Sequence, residues 1–218
     1  MRHFTYFDPE RVPSPSYVID LQALEKNAQL LGDVQDASGA KILLALKGYA
    51  AFATFDRIRS YLSGITASGL NEALLGQEHF GGEIHAYAPA FKQAEIEHLV
   101  RFADKLTFNS MAQWEQFRPL VKAAERPISC GLRINPDYAE VEVELYNPCA
   151  PGSRLGATAD ALEGSDLKGL EGLHFHTMCE QGADVLERTL PHVMDKFGKY
   201  FSHLQWMNFG GGHHITRE

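Results

Sequence analysis

The sequence predicts an α/β fold in which parallel strands alternate with helices, and three observations support this. Short apolar runs of strand length alternate with amphipathic stretches of helical length along almost all of the 218 residues. Lysine, arginine, histidine and glycine residues stand at the ends of the apolar runs. The composition is that of a globular protein with a sizeable core, with 44% hydrophobic and 22% charged residues. Two architectures satisfy this pattern, a closed (β/α) barrel of the TIM type and an open doubly wound sheet.

The elements follow one another in a regular order. Residues 16–19 form a strand-like piece, and residues 20–35 have helical spacing, with Asp20 as the expected N-cap. Seven further apolar runs predict strands, at residues 42–46, 64–67, 84–88, 105–108, 128–134, 172–176 and 204–209. Helical patterns lie between most of them, at residues 55–62, 70–79, 93–102, 111–124 and 185–201.

Two features suggest a barrel that is incomplete. Seven strand units are one fewer than a closed barrel needs, and no helical pattern follows the last strand. The connection over residues 135–169 is long and rich in proline, which is typical of a functional loop. We therefore expect a barrel truncated before its last strand.

Charge and cysteine content restrict the partners and the compartment. The formal charge is −8, without a basic face of the kind that nucleic acid requires. Three widely spaced cysteines form neither a metal pattern nor a disulfide framework, which favours reduced thiols in the cytoplasm. We expect no secretion signal and no membrane span, since no apolar run approaches the required length.

Lys47 ends the apolar run of residues 42–46 and is followed by Gly48. Lysine is rarely buried, so Lys47 is expected at the mouth of the sheet, where apolar neighbours could lower its basicity. A lysine of this kind attacks carbonyl groups and forms Schiff bases. The simpler interpretation is a strand-end lysine that reaches into solvent.

Three other strand ends carry candidate site residues. Gly210, Gly211 and Gly212 could let backbone N–H groups approach a phosphate, or could form only a tight exit from the strand. His174 and His176 share one strand face, so one imidazole could stack on a flat ring; metal ligands or core histidines are the alternatives. Arg133 needs a partner if it points inward, such as Glu72 or a bound anion. An amine, a phosphate turn and an imidazole together suggest pyridoxal phosphate (PLP) and no metal.

Four segments carry a family resemblance that covers essentially the whole chain. They are PSYVID at residues 15–20, LALK at 44–47, HFHTMCE at 174–180 and FGGGHHITR at 209–217. With them the chain resembles the alanine-racemase-like (fold type III) PLP enzymes, and within these the carboxynorspermidine decarboxylases, relatives of ornithine and diaminopimelate decarboxylases. Residues 153–156 resemble a Ser-Lys-Phe-Gly segment of related decarboxylases.

The resemblance implies a role for each matching residue. Lys47 would hold the cofactor as a Schiff base, and His176 would stack on its ring. The turn of Gly210, Gly211 and Gly212 would cradle the phosphate, and Arg133 would lie near the cofactor. Glu72 would also lie at the cofactor, although its spacing from Ser68 differs by one from that of relatives. Glu180 and His213 would contact the substrate.

The resemblance also implies an organisation and an activity. Residues 1–20 would contribute a strand to a β-domain, and residues 21–218 would form the PLP-binding barrel, with the last strand and the β-domain missing. The activity would be decarboxylation of a carboxylated polyamine, carboxynorspermidine or carboxyspermidine, to norspermidine or spermidine. We expect a homodimer, or a second chain that supplies the missing half. The alternatives are a single-domain PLP carrier without turnover, a diaminopimelate- or ornithine-type decarboxylase, and an inactive fragment.

Overall fold

The computed structural model describes residues 7–214, which form a parallel seven-stranded sheet with helices between the strands. The strands are β1 Leu43–Ala45, β2 Gly64–Ala67, β3 Glu83–Tyr87, β4 Lys105–Phe108, β5 Ser129–Arg133, β6 Gly172–His174 and β7 Trp206–Asn208. The helices are α1 Leu21–Ser38, α2 Phe55–Ile58, α3 Leu70–His79, α4 Gln93–Leu99, α5 Met111–Lys122 and α6 Ala183–Phe197.

The strands pair in sequence order from β1 to β7, and all six pairings are parallel. Within residues 7–214, β1 and β7 each keep one unpaired edge. This arrangement is an incomplete barrel, as predicted, because an open doubly wound sheet would change strand order at a switch point.

Local signals explain the helix boundaries. The Asp20 carboxylate accepts hydrogen bonds from the N–H groups of Gln22 and Ala23, at 2.9 and 3.1 Å, and so caps α1 as predicted. Helix α6 ends at Phe197, four residues earlier than expected, because Gly198 disfavours a helix and the chain continues as a 3₁₀ segment. Helix α2 also ends early, where the Tyr61 N–H bonds to Ile58 in a tighter turn.

The predicted strand at residues 16–19 is not part of the sheet. This segment belongs to no strand among the described residues, and Tyr17 is fully exposed. The resemblance assigns it to a β-domain outside this sheet, and that assignment stays a prediction.

The sheet has two different faces. Alternate residues that point outward, such as Ile65, Leu106, Leu132 and Leu173, are fully buried in the core beneath the helices. The inward face is polar at both ends and is closed in the middle by Trp206. A Cβ atom added to Gly131 or Gly172 would lie only 2.2 or 2.1 Å from this indole, so both strands need glycine there.

A charged cluster lies at the amino ends of the strands. Glu83 accepts hydrogen bonds from Lys41, from His85 at 2.9 Å and from Lys105 at 3.1 Å. Burial alone would raise the pKa of Glu83, but these three donors lower it to about 2. The carboxylate therefore stays ionised at neutral pH and links the inward-facing His85 and Lys105 to the exposed Lys41.

Candidate functional site

Side chains at the carboxyl ends of the strands surround a cavity of about 450 Å³. The residues that contribute from the strand ends are Lys47, Ser68, Tyr87, Arg133, His176 and Cys179. The loop between β5 and β6 completes the wall with residues 145–148 and 155. Parallel strands bring their carboxyl ends to one rim, which explains why residues distant in sequence meet here.

Lys47 lies in the turn that follows β1 and is exposed at the edge of the cavity. The turn is closed by the Gly48 N–H, which donates to the Ala45 carbonyl at 3.0 Å. The apolar neighbours of Lys47, such as the buried Leu46, pack behind the strand, whereas the lysine side chain stays at the rim. The amine is thus accessible to a ligand in the cavity.

Arg133 is a buried cation in the cavity wall, with only 4% of its surface exposed. Its Nη1 donates to the Tyr87 hydroxyl at 2.6 Å and its Nη2 to the His176 carbonyl at 3.2 Å. Its Nε is buried without a partner, and no salt bridge to it exists within residues 7–214. A buried guanidinium without a carboxylate is an unfavourable arrangement that an anionic ligand would relieve.

Glu72, expected as a partner of Arg133, lies elsewhere. Its carboxylate accepts a hydrogen bond from the Ser68 N–H at 2.7 Å, at the start of α3. It lines a separate pocket with Glu95 rather than the cavity of Lys47. The irregular spacing from Ser68 places this side chain against the backbone.

His176 is a neutral imidazole whose orientation is fixed. Its Nδ1 accepts a hydrogen bond from the Gly211 N–H at 2.9 Å, so the ring proton is on Nε2. Burial, and then the positive charges of Lys47 and Arg133, lower the pKa of His176 to about 4. A neutral, flat and immobile ring in the cavity wall is suited to stack on an aromatic ligand.

The glycine turn is packed closely against the segment that carries His176. The Gly210 N–H donates to the Asn208 side chain at 2.8 Å, and a Cβ on Gly210 would lie 2.5 Å from the Phe175 carbonyl. Of the three glycine N–H groups, only that of Gly212 lacks an acceptor among the described residues. The turn therefore fixes the imidazole and offers fewer free donors than the three that its sequence suggests.

Glu180 and His213 lie on neighbouring segments at the same rim. The Gln181 N–H donates to the Gly212 carbonyl and the His214 N–H to the Gln181 carbonyl, both at 2.9 Å. Both side chains are exposed, and neither lines the cavity. Residues 215–217, the end of the glycine motif, lie outside the described residues.

The loop between β5 and β6 is held over the rim by helix α6. Arg188 forms two hydrogen bonds with Glu140, at 2.8 and 2.7 Å, and one with Asp184 at 3.0 Å. Lys196 donates to Asp137 at 2.8 Å. These ion pairs fix the start of the loop whose later residues form the cavity wall.

Two residues of the rim were not predicted from the sequence. Tyr87 ends β3 and Asn109 follows β4, and their side chains are joined by a 2.8 Å hydrogen bond. Strand alternation could have identified Tyr87, because it lies on the same face as Glu83 and His85.

The cavity lining contains two cationic side chains and no carboxylate. Its volume is within the range of small-molecule sites. An accessible amine, a buried unpaired guanidinium and a neutral imidazole suit an anionic ligand that has a flat ring and a carbonyl group. Within residues 7–214, no three acidic, histidine or cysteine side chains could hold a metal ion together. No helix in that range is long and apolar enough to cross a membrane.

The chain is similar to curated bacterial decarboxylases over nearly its whole length, while no protein-family model matches it. It is 44% identical over 209 residues to the carboxynorspermidine/carboxyspermidine decarboxylase of Campylobacter jejuni. This alignment covers 96% of this chain and 54% of that protein. It is 40% identical over 207 residues to the carboxyaminopropylagmatine decarboxylase of Synechocystis, and this alignment covers 95% of this chain and 53% of that protein. The chain thus spans about half the length of these relatives.

A solved structure agrees with this relationship. The crystal structure of carboxynorspermidine decarboxylase from Campylobacter jejuni, complexed with norspermidine, superposes with a TM-score of 0.86 at 41% identity. The match covers 95% of this chain and 53% of that one. The part of the barrel that this chain spans is therefore a fold that it shares with that structure.

Proposed function

We propose that the chain belongs, over the part that it spans, to the family of the carboxynorspermidine decarboxylases. It would then carry the PLP site of an enzyme that decarboxylates carboxynorspermidine or carboxyspermidine to norspermidine or spermidine. The observation that carries this proposal is the cavity that Lys47 and Arg133 both line, because the buried guanidinium has no carboxylate partner within residues 7–214 and its Nε has no hydrogen-bond partner there. The relatives are named as decarboxylases of this kind, which supports the reaction type.

The residues of the cavity fit PLP. Lys47 would hold its aldehyde carbon through the side-chain amine, since an accessible primary amine forms Schiff bases with carbonyls. The unpaired Nε of Arg133 is suited to an anionic oxygen of the cofactor, because a buried cation is stabilised by an opposite charge. The neutral imidazole of His176 would cover one face of the ring. The Gly212 N–H would donate to the phosphate.

When bound, PLP supplies an electron sink for the negative charge that remains on the α-carbon after loss of CO₂. The residues of this chain orient the reactants around it. Burial, and then the charges of Lys47 and Arg133, lower the pKa of His176 and keep it deprotonated, so the imidazole adds no charge against the ring. Glu180 and His213, exposed at the rim, are proposed to contact the polyamine part of the substrate.

An absorbance titration with PLP tests the cofactor site. We expect a Schiff-base band in the wild type that is lost in Lys47→Ala, because only a primary amine forms that bond. Lys26→Ala, which alters an exposed lysine on α1, should bind like the wild type and serves as the matched control. A band that persists in Lys47→Ala would contradict the assignment of Lys47.

CO₂ release tests the reaction. Carboxynorspermidine and carboxyspermidine are the expected substrates, with diaminopimelate, ornithine and carboxyaminopropylagmatine as comparisons. Because the chain spans about half of its relatives, the assay is run alone and with the remaining region supplied as a second chain. Lys47-dependent PLP binding without CO₂ release in either arm would instead support a PLP carrier.

We also propose a homodimer in the cytoplasm. The unpaired edges of β1 and β7 expose backbone donors and acceptors that favour pairing with another chain. The three cysteines are free thiols, which suits a reducing compartment.

A further inference from the structure

We propose that Tyr87 and Asn109 are positioning residues that couple the loop segment 153–156 to Arg133, through one continuous chain of hydrogen bonds that joins three strand ends and the loop. This inference rests on the proposed function, in which Arg133 faces the anionic part of the cofactor. The juxtaposition that carries it joins β3, β4, β5 and the loop at a single rim.

The first link joins Arg133 to Tyr87. The Tyr87 hydroxyl accepts a hydrogen bond from Arg133 Nη1 at 2.6 Å, and the guanidinium also lies over the tyrosine ring, 5.0 Å from its centre. Burial raises the pKa of Tyr87, although Arg133 opposes this, so the hydroxyl keeps its proton. Within residues 7–214 this hydroxyl is the one side-chain group that accepts a hydrogen bond from Arg133. It therefore sets the direction of the guanidinium.

The second link joins Tyr87 to Asn109. The Tyr87 hydroxyl donates its proton to Asn109 Oδ1 at 2.8 Å. The same oxygen accepts the Gly156 N–H at 2.9 Å, and Asn109 Nδ2 donates to the Arg154 carbonyl at 2.8 Å. The amide group is held by three bonds at once, so its orientation follows the backbone of the loop.

The loop also touches Arg133 directly. The Ala157 N–H donates to the Arg133 carbonyl at 2.9 Å, and Gly156 has φ +87°. A Cβ atom on Gly156 would lie 3.0 Å from Arg133 Cγ. The loop therefore confines the aliphatic part of Arg133 from one side while Tyr87 holds its charged end.

The neighbouring residue Leu155 lines the cavity itself. A ligand that displaces Leu155 would move the Gly156 N–H and the Arg154 carbonyl, and through Asn109 and Tyr87 it would redirect Arg133. A ligand on the loop side of the cavity would in this way change how the Arg133 guanidinium is directed at the anionic group of the cofactor.

The test combines amide exchange in the protein without PLP with PLP affinity in the same variants. Tyr87→Phe removes the hydroxyl alone, and Tyr61→Phe, which loses a hydroxyl bonded to Glu25, is the matched control. In Tyr87→Phe we expect faster NMR amide exchange at Gly156 and roughly tenfold weaker PLP binding, the change expected when one charge-assisted hydrogen bond is lost. Arg133→Met is expected to weaken binding at least as much, and the double variant Tyr87→Phe/Arg133→Met no further, because Tyr87 acts through Arg133.

A purely structural role for Tyr87 would lower the melting temperature while its effect on PLP affinity added to that of Arg133→Met, and this would overturn the proposal. Unchanged Gly156 exchange in Tyr87→Phe would also overturn it, with or without PLP binding. If the wild type fails to bind PLP through Lys47, the proposed function fails, and the exchange rate at Gly156 alone still decides whether Tyr87 and the loop are coupled.

Discussion

His174 shows how strongly the interior of the barrel acts on a single residue. It lies on the inward face of β6, only 8% exposed, with its ring 5.4 Å from that of Tyr87. Burial, and then the positive charge of Arg133, lower the pKa of His174 to about 3. The folded protein thus keeps this histidine neutral where the unfolded chain would protonate it.

This difference predicts a loss of stability in mild acid. The unfolded chain binds a proton at His174 near pH 6.5, whereas the folded protein binds one only near pH 3, so unfolding is favoured as pH falls from 7 to 5. Below pH 6.5 the loss approaches ~1.4 kcal/mol per pH unit for one such proton. His174→Gln should show a smaller decrease in melting temperature over this range than the wild type. His98→Gln, which removes an exposed histidine of α4, serves as the matched control. Equal pH dependence in His174→Gln and the wild type would contradict the assignment.

The candidate residues for cofactor binding could be predicted from the sequence because parallel strands bring their carboxyl ends to one rim. Lys47, Arg133 and His176 each follow or end an apolar run, and the structure places all three in one cavity. Glu72 could not be placed in this way, since its position depends on a hydrogen bond to the Ser68 backbone. Tyr87 and Asn109 bear neutral groups that acquire significance only through their mutual contact.

At the scale of elements, the loop between β5 and β6 is irregular yet well anchored. Gln181 donates to the Glu140 carbonyl at 2.6 Å, and Tyr138 stacks on His192 of α6 with ring centres 3.8 Å apart. Together with the Arg188 ion pairs, these contacts attach the loop to α6. The sequence predicts a functional loop here but not its anchor, because the contacts join residues about 50 positions apart.

Removing the anchor should loosen the loop. In Arg188→Ala we expect roughly threefold faster proteolytic cleavage within residues 138–147, the scale of effect expected from an exposed ion-pair network. Arg59→Ala, which removes a surface pair with Asp56, is the control and should leave the cleavage rate unchanged. Identical cleavage of Arg188→Ala and wild type would show that other contacts hold the loop.

The contact of Trp206 with β5 makes a second prediction at this scale. Gly131→Ala should destabilise the protein by ~1–3 kcal/mol, since the new methyl group would overlap the far edge of the indole. Trp206→Phe removes that edge, so adding it to Gly131→Ala should cost less stability than the sum of the single changes. Denaturant unfolding measures all three variants, and simple additivity would argue against the overlap.

At the scale of the whole molecule, the sheet formed by residues 7–214 is an arc whose two edge strands, β1 and β7, each have one edge unpaired within that range. All seven predicted strands are present in the predicted order, each within two residues of its expected bounds. Strand order could be predicted because each helix returns the chain to the next parallel position. The way in which the two edges are covered could not be predicted, since it depends on residues outside the seven strands.

Open edges predict self-association. Sedimentation velocity over a range of concentrations should show a dimer that dissociates on dilution, because unpaired strand edges favour pairing between chains. The measurement is repeated in the presence of PLP. A single monomeric species at every concentration would contradict the proposed homodimer.

The Glu83 cluster and the Lys47 cavity occupy opposite rims of the barrel, separated by the indole of Trp206. Evolution or engineering can therefore retune one rim with little interference from the other. Substitutions around Glu83 would act on the yield of folded protein, and those around Lys47 on the choice of ligand. A laboratory selection could first stabilise the rim that carries the Glu83 cluster. The more stable protein would then tolerate destabilising substitutions around the Lys47 cavity.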